Sequence, residues 1–188
     1  MSDDRDRWEH RYAGDEFRVG PPSAFLIANA HRLHGRVLDV AAGAGRNALA
    51  LAARGLMVDG IDIASTGLRR AQAAARGAGL RLHLIQADLT QFPLPRSCYD
   101  ALINMRYLQR SLFAPMQRAV RPGGLIIFET FLIDQQQIGH PSHPDFLLQH
   151  GELRAAFGRC DILFYEEGYL QTEIGPAYLA RMLARTPD

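Results

Sequence analysis

Two hydrophobic rhythms alternate along this chain. Short apolar runs of strand length occupy residues 36–41, 57–62, 80–86, 99–104 and 125–131, the last being the strongest. Between them, apolar positions at helical spacing predict helices over 24–32, 46–54, 65–76 and 110–120. Ser23 stands where an N-cap would open the first of these helices, behind the breaker Gly20-Pro21-Pro22. Gly35, Gly55, Gly77, Gly79 and the stretch Arg121-Pro122-Gly123-Gly124 punctuate the other boundaries, and Phe92-Pro93-Leu94-Pro95 admits only a loop. Strands alternating with helices imply right-handed crossovers and a parallel sheet covered on both faces.

Both ends break the alternation. Residues 3–20 are charged, with aromatic residues at 8, 12 and 17; Trp8 and Tyr12, four apart, would share one face of a short helix. Beyond 131, the segment 134–150 carries Gln135-Gln136-Gln137 and Gly139-His140-Pro141-Ser142-His143-Pro144, too broken for a core element. A short helix over 151–157 precedes two apolar runs, 161–166 and 177–185, joined without a helix. Strands so joined must be antiparallel neighbours.

Composition changes this picture little. The chain has 188 residues, 47% hydrophobic and 22% charged, within the reach of one core. A net charge of +1 advertises neither a nucleic acid nor a membrane surface as partner. The charged start lacks the apolar core of a signal peptide, and no apolar run approaches the roughly 20 residues that span a bilayer. Two distant cysteines, Cys98 and Cys160, predict reduced thiols and a cytoplasmic protein.

The candidate chemistry gathers at the end of the first strand. Val37-Leu38-Asp39-Val40-Ala41-Ala42-Gly43-Ala44-Gly45-Arg46-Asn47 reads as a buried strand, a tight turn and the first turn of a helix. The glycines admit a ligand to the backbone, and the helix start offers unpaired N–H groups. Gly43-Ala44-Gly45-Arg46-Asn47-Ala48 satisfies the dinucleotide fingerprint, with Asp62 nineteen residues after Gly43, so a nicotinamide cofactor is one reading. Asp39 speaks against it: a carboxylate there would face a pyrophosphate, whereas a ligand ammonium would welcome it. Asp88, after the third strand, could accept from an adenine amine, and the antiparallel ending departs from further strand–helix–strand units.

With these motifs the chain resembles the class I S-adenosylmethionine-dependent methyltransferases. Asp39-Val40-Ala41-Ala42-Gly43-Ala44-Gly45 stands for their first motif, with Ala41 in place of its first glycine. Val58-Asp59-Gly60-Ile61-Asp62, Ala87-Asp88-Leu89 and Arg121-Pro122-Gly123-Gly124 match the ribose motif, the adenine motif and the turn before strand five. The resemblance implies an α/β Rossmann-like fold with a seven-stranded, mostly parallel sheet and an antiparallel C-terminal hairpin. It implies a cofactor site of Arg11, Asp39, Ala41, Gly43, Gly45, Arg46, Asn47, Asp62, Ile63, Asp88, Leu89 and Asn104. In that scheme Asp62 holds the ribose hydroxyls, Arg11 meets the cofactor carboxylate, and Arg46 and Asn47 act mainly through backbone N–H groups. The expected organisation is one domain: a helical cap over 1–34, a cofactor-binding core over 35–131, a lid loop over 132–150, and a helix with a hairpin over 151–188.

A narrower likeness joins Trp8-x-x-Arg11-Tyr12, Gly45-Arg46-Asn47-Ala48, Arg106-Tyr107-Leu108-Gln109-Arg110 and Phe128-Glu129-Thr130-Phe131. These are similar to small bacterial methyltransferases of the tellurite-resistance and thiopurine-methyltransferase type. That likeness implies a small-molecule acceptor, such as a thiol or a metalloid oxyanion, with Arg106 and Tyr107 as the residues that orient it. No catalytic base is assigned. His140 and His143 lack a third ligand at suitable spacing, so no metal is expected, and they fit a lid better. A non-catalytic S-adenosylmethionine-binding module and a nicotinamide-dependent oxidoreductase are the alternatives.

Overall fold

A computed structural model describes residues 2–14 and 16–188. Seven strands form one sheet: β1 (Arg36–Val40), β2 (Met57–Asp62), β3 (His83–Gln86), β4 (Tyr99–Met105), β5 (Val120–Phe131), β6 (Asp161–Leu170) and β7 (Ala177–Arg185). Their order is β3-β2-β1-β4-β5-β7-β6; the first five are parallel, and β7 runs antiparallel to both β5 and β6. The order reverses between β1 and β4, and a crevice outside the carboxyl ends of strands at such a switch point is where open α/β sheets take ligands.

Six helices flank the sheet: α1 (Ser2–Ala13), α2 (Ala24–Asn29), α3 (Arg46–Ala52), α4 (Ser65–Gly77), α5 (Phe113–Ala119) and α6 (Glu152–Ala156). Strand alternation divides the core in two. Val37, Ala101, Ile103, Ile127 and Leu183 pack against Phe25, Leu26, Ala48, Leu51 and Ala71 of α2, α3 and α4. On the other face Leu38, Leu102, Ile126, Phe128 and Met182 meet Phe113 and Met116 of α5 with Leu153 and Phe157. There Phe113, Phe128 and Phe157 meet edge to face, with centroids 5.6–5.9 Å apart.

Most predicted elements stand within a few residues of their expected bounds, and the departures have local causes. Ser23 caps α2, its hydroxyl accepting from the Leu26 amide at 3.3 Å. The third strand starts at His83 because Gly79 turns left-handed after α4 (φ 68°) and the Leu80 amide reaches back to the Ala75 carbonyl, 2.8 Å. Residues 121–124 are a kink inside β5: Val120 already pairs with Tyr99, and the register shifts between Tyr99 and Ala101. The segment 132–150 is anchored more firmly than its composition suggests. Leu132, Gln135, Leu147 and Leu148 are buried, and backbone bonds tie Ile133 to Leu148 and Leu148 to Phe131, both 2.9 Å.

Candidate cofactor and acceptor site

The turn after β1 is left-handed at three positions, Ala41 (φ 56°), Gly43 (φ 55°) and Gly45 (φ 80°). A side chain in that region costs about 1–2 kcal/mol, so Ala41 is strained where the resembling family uses glycine. The two glycines also let neighbouring elements pack closely. A Cβ on Gly45 would lie 2.6 Å from the Cβ of Ala71, so its absence lets α3 and α4 close together. A Cβ on Gly43 would strike the Tyr12 hydroxyl of α1.

Asp39, at the end of β1, is 1% exposed. The Ala48 amide of α3 favours its charged form, but its Oδ2 has no hydrogen-bond partner among the described residues. Burial, then the nearby negative charge of Asp62, pushes its carboxyl up to about 7. Asp62, at the end of β2, accepts from the Gly43 amide through Oδ2 (2.7 Å) and from the Ala64 amide through Oδ1 (2.8 Å). It thereby locks the glycine turn onto the start of α4. Each oxygen retains a second lone pair for a ligand hydroxyl. Burial raises its carboxyl as well, against those amide bonds.

Asn104, at the end of β4, is fully buried; its amide donates to the Tyr107 carbonyl (2.7 Å), and its Oδ1 has no partner among the described residues. Arg106 follows with φ 66°, another left-handed side-chain residue. Its Nε donates to Glu129 Oε1 at 2.9 Å, its guanidinium lies 4.8 Å from the Phe131 ring centre, and its Nη2 is buried without a partner. Burial pushes the adjacent Tyr107 phenol up to about 12, with the charge of Asp88 adding to it. Three unmet polar atoms therefore gather where β1 and β4 end, and an unmet buried group costs about 1–3 kcal/mol unless something binds it. Asp39 Oδ2 and Asn104 Oδ1 fit a ligand with ammonium or hydroxyl donors.

Other expected site residues are committed differently. The Arg46 side chain bonds the Pro21 carbonyl (2.9 Å) and Glu173 (2.8 Å), and Asn47 Oδ1 accepts from the Ser23 amide (3.0 Å). Both side chains thus pin the segment before α2. Arg11 is exposed, its guanidinium 5.2 Å from the Trp8 ring centre. Asp88 builds a turn, its Oδ1 accepting from the Thr90 hydroxyl (2.7 Å) and amide (2.9 Å), which hold its carboxyl below the usual range. Leu89 is buried in the core beside it, while Ile63 is half-buried at the end of β2. His140 and His143 are exposed, and His143 caps the 3-10 turn Pro144–Phe146.

Sequence reasoning expected a helical cap but missed the Glu9 anchor of α1 and the buried ion network around Glu129. Glu9 reaches from α1 to the start of α4, accepting from the Ser65 (2.7 Å) and Thr66 (2.9 Å) amides; bonding to Thr66 first, then Ser65, lowers its carboxyl to about 2. Trp8 stacks on Tyr12 as their spacing predicted (5.7 Å), and Arg7 lies 5.4 Å from the Phe146 ring centre, linking α1 to segment 132–150. Glu129, 0% exposed, takes Arg106 on one oxygen and Arg181 Nε on the other (2.6 Å), with the Ser23 hydroxyl at 3.3 Å. A signal existed: a carboxylate inside the apolar run 125–131 demands a buried partner.

Residues 37–124 match the family described as a methyltransferase domain. An uncharacterised Mycobacterium tuberculosis protein is 36% identical over 117 residues, covering 57% of this chain and 42% of the relative. The ubiquinone biosynthesis O-methyltransferase of Paracidovorax citrulli is 34% identical over 103 residues, covering 50% of this chain and 43% of its own. The chain thus spans less than half the length of these curated relatives. A solved S-adenosylmethionine-dependent methyltransferase from Methanosarcina mazei superposes with a TM-score of 0.69 at 20% identity, over 86% of this chain and 97% of that one. Sheet order, switch-point crevice and structural likeness agree: this chain has the Rossmann-like fold of the S-adenosylmethionine-dependent methyltransferases, and its first five strands lie in or beside a segment that matches the methyltransferase-domain family.

Proposed function

We propose that the chain is an S-adenosylmethionine-dependent methyltransferase acting on a small acceptor. The observation that carries this reading is the unpartnered, buried Asp39 Oδ2 beside the glycine turn at the switch point. A pyrophosphate would be repelled there, while an ammonium group would complete the carboxylate. When bound, S-adenosylmethionine supplies a sulfonium-activated methyl group. Asp39 would hold its ammonium, Asp62 its ribose hydroxyls, Asp88 and Leu89 its adenine, with Ala41, Gly43, Gly45 and Ile63 lining the same crevice. Arg11 and the backbone amides of Arg46 and Asn47 would face its carboxylate, and Asn104 would close the site from β4.

Arg106 and Tyr107 would orient the acceptor, with α1 and the loop over 132–150 excluding water as a cap and a lid. Positioning of this kind contributes about 7–11 kcal/mol without a base. Tyr107, held near 12, is a poor base at neutral pH, which favours an acceptor that needs no deprotonation, such as a thiolate or a metalloid oxyanion. Two checks bear on this reading. At about 100 times Kd, S-adenosylhomocysteine should add roughly 2.7 kcal/mol to the unfolding free energy, and NAD should add nothing. Stabilisation by NAD alone would overturn the reading, and an unchanged S-adenosylhomocysteine response in Asp62→Ala would remove the ribose assignment. Transfer of a labelled methyl group to tellurite, selenite or a thiol separates the enzyme from a cofactor-binding module.

A further inference from the structure

The end of the sheet away from the crevice holds a second concavity. It has a volume of about 320 Å³, within the usual range of small-ligand clefts, and is lined by Arg96, Arg118 and Arg159, with Ser97, Gln117 and Thr186 among them. The fold brings these arginines together from three places: the loop before β4, the last turn of α5, and the loop after α6. All three are exposed, and none forms an ion pair or side-chain hydrogen bond among the described residues.

The nearby acids are engaged elsewhere: Asp100 with Arg121 and the Arg36 amide, Asp161 with Arg185 at 3.9 Å. The Asp188 side chain lies by Gly123, at the rim.

Arginines near a helix C-terminus often serve only to cap its carbonyls. Here that task is already done by backbone. The Ser97 amide donates to the Arg118 carbonyl (2.8 Å) and the Cys98 amide to the Ala119 carbonyl (3.0 Å). The neutral polar groups are satisfied too. The Gln117 amide donates to the Phe113 and Ala156 carbonyls (both 3.1 Å), and the Thr186 hydroxyl to the Arg121 carbonyl (2.6 Å). Ser97 is held left-handed (φ 49°), a strained conformation at the pocket wall. What remains on offer is three arginines around one hollow, whose lining also includes Val120, Pro122 and Pro187. Guanidinium forks match phosphate oxygens two at a time.

We infer that the cleft between Arg96, Arg118 and Arg159 is a binding site for a small, multiply charged phosphate-type oxyanion, separate from the cofactor crevice. The inference does not rest on the proposed methyl transfer. The probes are inorganic phosphate and diphosphate, titrated calorimetrically in low-salt buffer against the whole chain with the crevice saturated by S-adenosylhomocysteine. Sodium chloride at matched ionic strength serves as control. Saturable binding is expected, tighter for diphosphate, and weakened by about tenfold or more in each of Arg118→Gln and Arg159→Gln, with S-adenosylhomocysteine affinity unchanged. Both positions are exposed, so the folded state should survive, and circular dichroism verifies it.

Absence of saturable binding below about 10 mM overturns the site, as does binding that persists in both variants. Binding of single-stranded RNA with the same dependence on these arginines, but none of diphosphate, would reassign the face to a polymer and overturn the small-ligand inference.

Discussion

Two buried aspartates on neighbouring strands of one sheet have met opposite fates. Asp59 on β2 and Asp39 on β1 are each 1% exposed, and Leu38 is the register partner of Asp59. Asp59 points toward the amino end of β4, where its Oδ2 accepts from Arg36 Nε (3.1 Å) and Nη2 (2.6 Å) and from the Tyr99 hydroxyl (3.1 Å). Its Oδ1 has no hydrogen-bond partner among the described residues, with the exposed His83 ring 3.5 Å away. Asp39 has a single amide, a bare oxygen and the charge of Asp62 for company. A carboxylate bonded to a cation of its own chain is a brace, and one with no bonded cation is a socket. The comparison teaches that burial alone does not mark a functional acid; what marks it is burial without a bonded countercharge.

The largest effect that could break this contrast is electrostatic. A carboxyl raised from 3.8 to about 7 binds more protons in the folded than in the unfolded chain, so its contribution favours folding below about 4 and is lost as pH rises through 7. Urea unfolding of the ligand-free protein should show Asp39→Asn gaining stability over wild type between pH 4 and pH 8, by at most about 4 kcal/mol. A flat difference would mean that Asp39 already has a partner. The same variant should bind S-adenosylhomocysteine more weakly, trading function for stability.

Next comes the brace. Asp59→Ala should destabilise by about 3 kcal/mol at both pH values, because it strands Arg36 and the buried Tyr99 hydroxyl. An effect below about 0.5 kcal/mol would erase the distinction between the two acids.

Smaller changes test the turn beside the socket. Gly45→Ala combines the left-handed strain with a Cβ 2.6 Å from Ala71, and a loss of about 2 kcal/mol in chemical denaturation is expected. Ala41→Gly should do the reverse, raising stability by up to about 1 kcal/mol with the cofactor response intact. If Ala41→Gly destabilised instead, the left-handed turn would not be strained at that position.

How much was legible follows from the kind of interaction involved. Hydrophobic rhythm and glycine punctuation placed the strands, because period and turn chemistry are local properties. Asp39 and Asp62 could be singled out because one lies inside an apolar run and the other ends one, where a charge is costly without a purpose. Arg46 and Asn47 were read from the same motif as acting mainly through their backbone N–H groups; what the motif does not record is that their side chains hold Pro21, Glu173 and Ser23. Their partners lie up to 127 residues away, and no local pattern records such a pairing. Asp88 was read as an adenine partner, and the structure adds a turn-building role through Thr90 two residues on.

The sequence by itself determined the layered α/β sheet, the antiparallel ending and the strand ends at which a ligand would sit, since these depend on spacing along the chain. Tertiary structure alone decided which acids are satisfied, where Glu129 finds its two arginines, that Glu9 and Tyr12 of α1 close over the glycine turn, and that Arg96, Arg118 and Arg159 share one hollow. Each of those depends on groups distant in sequence meeting within hydrogen-bond or Coulomb range, and only the folded chain sets such distances.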